Sequence, residues 1–191
     1  SMSEFGNFCL LLALVLTLYS IFAAIVGAGQ RQHRIVRSAE RGALVACASI
    51  ALATASLLFL LIASDFSVAH VAGATNRSLP VSLKIAALWG QHDGSMLLWV
   101  FVTAIFAAIV IFQNRYRYRD MMPYVVAVLM FNLAFFLVLN IFLSNPFNQL
   151  VEVLPDGSMQ KFAPADGRGL NPLLQYWAMV IHPPIIYVGF I

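Results

Sequence analysis

Charge is scarce in this sequence. Asp, Glu, Lys and Arg make up 10% of the 191 residues, while 61% are aliphatic, aromatic or sulphur-bearing. A soluble domain carries about 25% charged residues, and a soluble fold of this composition would expose large apolar patches and aggregate. Lipid as the surrounding solvent removes that difficulty. Cysteine is nearly absent as well. Cys9 and Cys47 each lie inside an apolar run, and neither belongs to a C-x-x-C or a Cys/His pair of zinc spacing. No disulfide framework or thiol chemistry is expected. The sequence has no Walker loop, dinucleotide-binding glycine pattern, H-E-x-x-H or nucleophile elbow. No charged residue falls in the middle of a long apolar run, where a proton or ion pathway needs one, so a pump or antiporter is disfavoured. The net charge of +3 is small. The basic residues form no long basic face, and nucleic acid is not an expected partner.

What remains is a series of long apolar runs. Residues 8–28, 42–64, 96–112 and 123–143 are uncharged, and a spanning helix needs about 20 residues at about 1.5 Å each. In lipid every backbone N–H must find its partner within its own segment, so continuous runs of this length predict helices, and the lack of alternation excludes a β-barrel. Pro123 stands at the start of its run, where a missing N–H costs nothing. A further apolar segment, 177–191, would reach about 22 Å against a hydrocarbon core of about 30 Å. The expectation is an all-α integral membrane protein: a polytopic helical bundle of four full spanning helices and the start of a fifth. No capping glycine, basic stop or polar tail follows the last run. Residues 1–191 are therefore expected to be the N-terminal membrane part of something longer. The first run is too long, and its flank too poor in basic residues, for a cleavable signal peptide.

The connections divide by charge. Arg31, Arg34, Arg37 and Arg41 lie between the first two runs, and Arg115, Arg117 and Arg119 between the third and fourth. The positive-inside rule puts those segments in the cytoplasm of a multi-pass inner-membrane protein, so that the N-terminus and the long loops 65–95 and 144–176 face outward. Within the first long loop, Val81 to Trp89 is half apolar and predicts a short interfacial or re-entrant helix. In the second, Pro155-Asp156-Gly157 is a turn signal between two strand-like stretches, Gln149–Leu154 and Ser158–Phe162, and predicts a small hairpin. Trp89, Trp99 and Trp177 fall near the outer boundaries, where an aromatic belt belongs.

Four histidines are the candidate chemical groups. His33, among the arginines, reads as solvated or facing lipid headgroups, and His70 as an interfacial polar residue. His92 lies in a compact polar knot, Trp89-Gly90-Gln91-His92-Asp93-Gly94-Ser95. There Gly90 and Gly94 permit tight turns, and Ser95 or Asp93 is placed to cap the next helix. The knot reads either as a structural turn or as a turn that presents His92. His182 precedes Pro183-Pro184. A residue before proline is pushed out of the α region and proline is tolerated in a first helical turn, so the imidazole is expected at the outer mouth of a helix on a stiff backbone. That suits a haem-iron ligand, and it equally marks a helix start.

Two stretches carry a family resemblance. Trp89-Gly90-Gln91-His92-Asp93-Gly94-Ser95-Met96-Leu97-Leu98-Trp99 resembles the W-G-x-H-E-G-S-x-L-L-W segment of the CcmF family. Leu170-Asn171-Pro172-Leu173-Leu174-Gln175, followed by His182-Pro183-Pro184-Ile185-Ile186-Tyr187-Val188-Gly189-Phe190, resembles its N-P-L-L-Q and H-P-P-x-x-Y-x-G-F segments. Asn145-Pro146-Phe147 fits the same pattern, and Asp93 stands where the family has Glu. CcmF proteins are the haem lyase components of bacterial cytochrome c maturation, related to the NrfE-type lyases and more distantly to CcsA and CcmC. The resemblance implies haem b as cofactor and a CcmE-type chaperone as haem donor. It further implies CcmH/CcmI-type subunits and apocytochrome c as partners, with haem attachment on the periplasmic side. It assigns His182 as an axial haem ligand, with Trp89, His92 and Trp177 as candidates for the haem surroundings. It leaves the remaining haem-site residues beyond Ile191. The rival readings are an NrfE-type lyase dedicated to one cytochrome and a membrane scaffold that only assembles with partners.

Overall fold

The computed structural model describes residues 1–155 and 157–191. Among the described residues seven α-helices follow in order: α1 (Met2–Gly29), α2 (His33–Ala63), α3 (Ala69–Ala74), α4 (Val81–Ala86), α5 (His92–Asn114), α6 (Met122–Phe142) and α7 (Trp177–Phe190). Helices α1, α2, α5 and α6 are long and apolar enough to cross a membrane. They form an antiparallel ring in which α1 touches α2 and α6, and α5 touches α2 and α6.

Helices α1, α2 and α5 outrun the uncharged runs that announced them. The second span begins at His33 and not Gly42, and the third at His92 and not Met96. Lipid forbids charge only at depth, and a helix continues into the headgroup region with arginine and histidine on it. Helix α2, with 31 residues, is about 46 Å long against a core of about 30 Å. Arg34, Arg37 and Arg41 therefore ride on the helix, and the connection to α1 shrinks to Gln30–Gln32.

Close packing of α1 on α2 comes from small residues. On α1, Ser3, Gly6, Leu10, Ala13, Thr17, Ser20, Ala24 and Gly27 are buried at spacings of three and four. On α2, Val36, Ala39, Ala43, Ala46, Ile50, Ala53, Leu57 and Leu60 repeat the same spacing. This is the seam of a left-handed helix pair, and small side chains let the backbones approach where lipid gives no hydrophobic push between helices. A Cβ on Gly42 would lie 2.7 Å from Ser20 Oγ, and one on Gly27 would lie 2.8 Å from Val36 Cγ2.

The two long loops cap one end of the ring, the end that also holds the N-terminus. Ser1 and Glu4 make a capping box at the start of α1. Asn145 Nδ2 donates to Asn7 Oδ1 at 2.8 Å, and Gln149 Nε2 donates to Ser3 Oγ at 3.1 Å. The ring of Phe147 is buried against Gly6. The expected hairpin is present as β1 (Val151–Val153) and β2 (Met159–Lys161), antiparallel with Glu152 opposite Gln160. Of its expected turn, Asp156 lies outside the described residues. The two loops are stitched together where Leu150 N donates to Ser67 O at 2.9 Å and Arg168 N donates to Ala72 O at 2.8 Å. At the opposite end, Arg119 on the α5–α6 connection meets Glu40 of α2 at 3.2 Å.

Widening the α1–α2 seam should loosen the bundle. Gly42→Val places two methyls against Ser20 and Tyr19, and overpacking of this kind costs about 1–3 kcal/mol. Thermal unfolding in detergent should show a lower midpoint. An unchanged midpoint would mean that the seam is not closely packed at Gly42.

Candidate functional site

The knot between α4 and α5 is built downward onto His70. Val81 to Trp89 forms α4 followed by a 3-10 turn, Ala87–Trp89. Lys84, which interrupts the apolar pattern, is buried and donates from Nζ to Ser64 Oγ at 2.6 Å. Ser64 is the left-handed residue that closes α2, so a cation sits at the negative end of that helix. His70 is buried within the protein. It is 1% exposed, and its Nε2 donates to Ala87 O at 3.1 Å, leaving Nδ1 without a partner among the described residues. Burial pushes this imidazole below its ordinary pKa, with the Ala87 carbonyl opposing that shift.

Helix α5 starts at His92, with Gln91 as its N-cap and no side chain capping it. The expectation that Ser95 or Asp93 would cap the helix is therefore not met. Both lie inside the first turn, where Asp93 still complements the helix dipole. Gly94 is also helical. Its glycine is required by close approach and not by a turn, because a Cβ there would run into the Leu88 carbonyl and come within 2.6 Å of the His70 ring. Asn140 of α6, fully buried, ties the start of α5 to the end of α6 by donating to Asp93 O at 3.3 Å and to Ser144 O at 2.9 Å.

Helix α7 differs from the sequence expectation. Pro183 and Pro184 lie inside it and not in its first turn, and His182 is helical. A proline within a helix deprives the carbonyl four residues earlier of its donor; for Pro184 that carbonyl belongs to Val180. The indole Nε1 of Trp89 fills the vacancy, donating to Val180 O at 3.0 Å. Two further contacts pin the same side of α7. Tyr187 Oη shares a hydrogen bond with Ser95 Oγ at 2.8 Å, and its ring meets Trp99 edge-on with centroids 5.2 Å apart. The N-P-L-L-Q segment leads into α7 over the same knot. Leu170 is buried beside Gly90, where a Cβ would come within 2.8 Å of it, and Gln175 Nε2 donates back to Leu170 O at 3.0 Å. The two sequence stretches thus form one interlocked unit.

This unit separates the candidate residues. Trp89 is half-buried behind α7. His92 is exposed at the rim of an apolar groove of about 400 Å³ that it lines with Ser95, Met96, Trp99, Phe136 and Tyr187. His182 lies about 200° around the helix from Val180, on the side turned away from the knot. Its side chain is exposed, with no hydrogen bond or ion pair to another described residue. Met179 and Ile185, three positions to either side, are 42% and 63% exposed. Trp177 is 67% exposed and sits about 140° from His182 around the helix, so the two do not share a face. An unpartnered imidazole flanked by exposed apolar side chains fits an axial ligand beside a largely apolar macrocycle. Sequence reading names His70 without its burial, and it gives no signal for Asn140 or the groove. The polar pair Ser95 and Tyr187 carried no signal at a separation of 92 positions.

Comparison with known proteins locates this arrangement. Residues 89–191, more than half of the chain, match the family described as "Cytochrome C assembly protein". The cytochrome c-type biogenesis protein CcmF of Pseudomonas aeruginosa is 36% identical over 98% of this chain and 27% of its own length. That of Escherichia coli is 35% identical over 100% of this chain and 28% of its own. NrfE of Haemophilus influenzae is 33% identical over 98% of this chain and 28% of its own. A solved structure, "Cytochrome c Heme Lyase CcmF", superposes with a TM-score of 0.78 over 100% of this chain and 28% of the other, at 24% identity. The chain spans between a quarter and a third of the length of these relatives.

The Trp89–Val180 bond should behave as compensation for Pro184. Trp89→Phe removes the indole donor and leaves a carbonyl unpaired, a loss of about 1–3 kcal/mol. Pro184→Ala restores an N–H within α7, and in that background the same Trp89→Phe change should cost at least about 1 kcal/mol less. Strict additivity in thermal unfolding would show that Val180 does not depend on the indole.

Proposed function

The chain belongs to the cytochrome c assembly protein family, and from that membership we propose that it is part of a CcmF-type haem lyase of the bacterial inner membrane. The observation that carries this reading is the interlocked knot. It commits one side of α7 to Trp89, Ser95 and Trp99 and leaves His182 alone on the other. The cofactor handled there is haem b, received from a CcmE-type chaperone and passed to apocytochrome c together with CcmH/CcmI-type subunits. The comparable identity to an NrfE protein extends the proposal to lyases of that branch.

The residues of this chain have distinct parts in it. His182 would hold the haem iron through an imidazole nitrogen. Freezing a side chain costs on the order of 1–2 kcal/mol, and a helix stiffened by two prolines and held by Trp89 has already met the backbone share of that cost. Met179 and Ile185 supply apolar surface beside the ring. His92 and Trp177 stand further around the site, His92 at the groove rim and Trp177 at the start of α7. Residues beyond this chain complete the site.

The proposed orientation puts the arginine-rich end in the cytoplasm and the N-terminus, knot and hairpin in the periplasm, as charge asymmetry favours. Reporter insertions after Gln32 and after Arg117 should read cytoplasmic, and insertions after Ser78 and after Gly157 periplasmic. A cytoplasmic reading at Gly157 reverses the layout.

In the intact protein, His182→Ala should reduce holocytochrome c at least tenfold while the membrane protein stays abundant. His182→Gly supplied with imidazole should recover part of the activity, because free imidazole can enter the vacated coordination position. Normal cytochrome c maturation by His182→Ala would refute the ligand role and favour the scaffold reading.

A further inference from the structure

The end of the bundle opposite the knot sets seven arginines against two carboxylates, Glu40 and Asp120. Among the described residues, the only ion pair at this end joins Arg119 to Glu40. Glu40 is 6% exposed, and its oxygens take Arg119 Nη1 at 3.2 and 3.5 Å. The same nitrogen donates to Arg115 O at 2.5 Å. Arg119 is thereby held by one corner of its guanidinium, and the other nitrogens have no hydrogen bond to a described residue.

Two cavities open on either side of this held arginine. One, of about 470 Å³, is lined by Arg31, His33, Arg119 and Tyr124, with one carboxylate, Asp120, against the two guanidinium groups. The other, of about 300 Å³, is lined by Arg37, Arg41, Arg115 and Arg119 with Glu40 and Tyr116. Tyr124, in the first, and Tyr116, in the second, are 64% and 76% exposed. Arg115 stacks over the rings of Phe112 and Tyr116 at 4.3 and 4.7 Å. Exposed tyrosines at the ends of spanning helices mark the headgroup level of a bilayer. Basic pockets between helices at that level suit phosphate-bearing headgroups, and a guanidinium fork matches two phosphate oxygens.

We propose that these two cavities, divided by Arg119, bind the phosphate groups of an anionic phospholipid. The exposed tyrosine in each cavity favours a lipid over a soluble anion, because a soluble phosphate gains nothing from aromatic side chains at the interface. Glu40 and Arg119 build the partition between the cavities, while Arg31 and Arg37, each exposed, supply charge from the α1–α2 hairpin.

The intact protein, stripped of lipid in detergent, can be titrated with phosphatidylglycerol, phosphatidylcholine or inorganic phosphate while thermal unfolding is followed. Phosphatidylglycerol should raise the midpoint and phosphatidylcholine should not, and the effect should weaken with added salt. Arg31→Gln and Arg37→Gln should each weaken phosphatidylglycerol binding about fivefold. Arg168→Gln, at the other end of the bundle, should leave it unchanged. Arg37→Gln reports on the cavity independently if Arg31→Gln alters the tight α1–α2 turn. Equal responses to the two lipids, or wild-type affinity in both arginine variants, would overturn the proposal. Stabilisation by millimolar inorganic phosphate with none by phosphatidylglycerol would overturn the lipid in favour of a soluble phosphate.

Discussion

A peptide group inside lipid has no water to bond with, and every arrangement in this protein answers to that constraint. It makes the four apolar runs into helices, because only a helix satisfies its own backbone within one segment. It also explains why the connections are concentrated at the two ends of the ring and why the irregular backbone of both long loops is stitched to itself and to the start of α1. The sharpest case is α7. A Pro-Pro pair removes two backbone donors from a helix in apolar surroundings, and the nearby indole of Trp89 answers for one of the stranded carbonyls. A defect in one segment is thus repaired by a side chain some ninety positions away, and the repair orients α7 by a single side.

The two ends of the bundle have opposite characters. At the knot, polar groups are turned inward and consumed. His70 meets the Ala87 carbonyl, Lys84 meets Ser64, and Asn140 meets Asp93 and Ser144. Of the three histidines at that end, His92 and His182 are the exposed ones, which is why those two stand out as groups available to a ligand. At the arginine end the situation is reversed. One carboxylate holds one guanidinium, and the remaining positive charge faces outward. The proposed haem site and the proposed lipid site lie at these opposite ends.

Much of the fold was legible because its signals are local. The spans followed from run length, the hairpin from Pro155 and Gly157, and the short element after Pro80 from its half-apolar pattern. The misses share a cause. Helix starts were placed where charge ended, yet arginines and His92 continue the helices into the interface. Pro183 was read as a helix start because a proline in mid-helix is costly in isolation, and nothing adjacent in the sequence reveals that Trp89 offsets the cost. His70 looked like a surface residue because it stands in a loop, and only the fold brings the Ala87 carbonyl over it. Gly94 is special for a reason other than the tight turn its sequence setting suggests. Its requirement is set by the Leu88 backbone and the His70 ring crossing above it, a proximity that no spacing rule contains. The pairing of the two motif stretches was visible only as two separate likenesses.

The unequal lengths of the spanning helices have a consequence for the membrane itself. Helices α1 and α2 have 28 and 31 residues, whereas α5 and α6 have 23 and 21. At about 1.5 Å per residue the first pair stands roughly 10 Å taller than the second. Much of that surplus lies outside the hydrocarbon, because α2 carries Arg34, Arg37 and Arg41 on its first nine residues. Its uncharged run, 42–64, is close in length to the run 123–143 of α6, and lipid chains match the apolar stretch and not the whole helix. The extra turns of α2 therefore stand in the headgroup layer as ordered helix. A neighbour in the membrane that approaches from that side meets a rigid basic post, and one that approaches from the α5–α6 side meets a short connection.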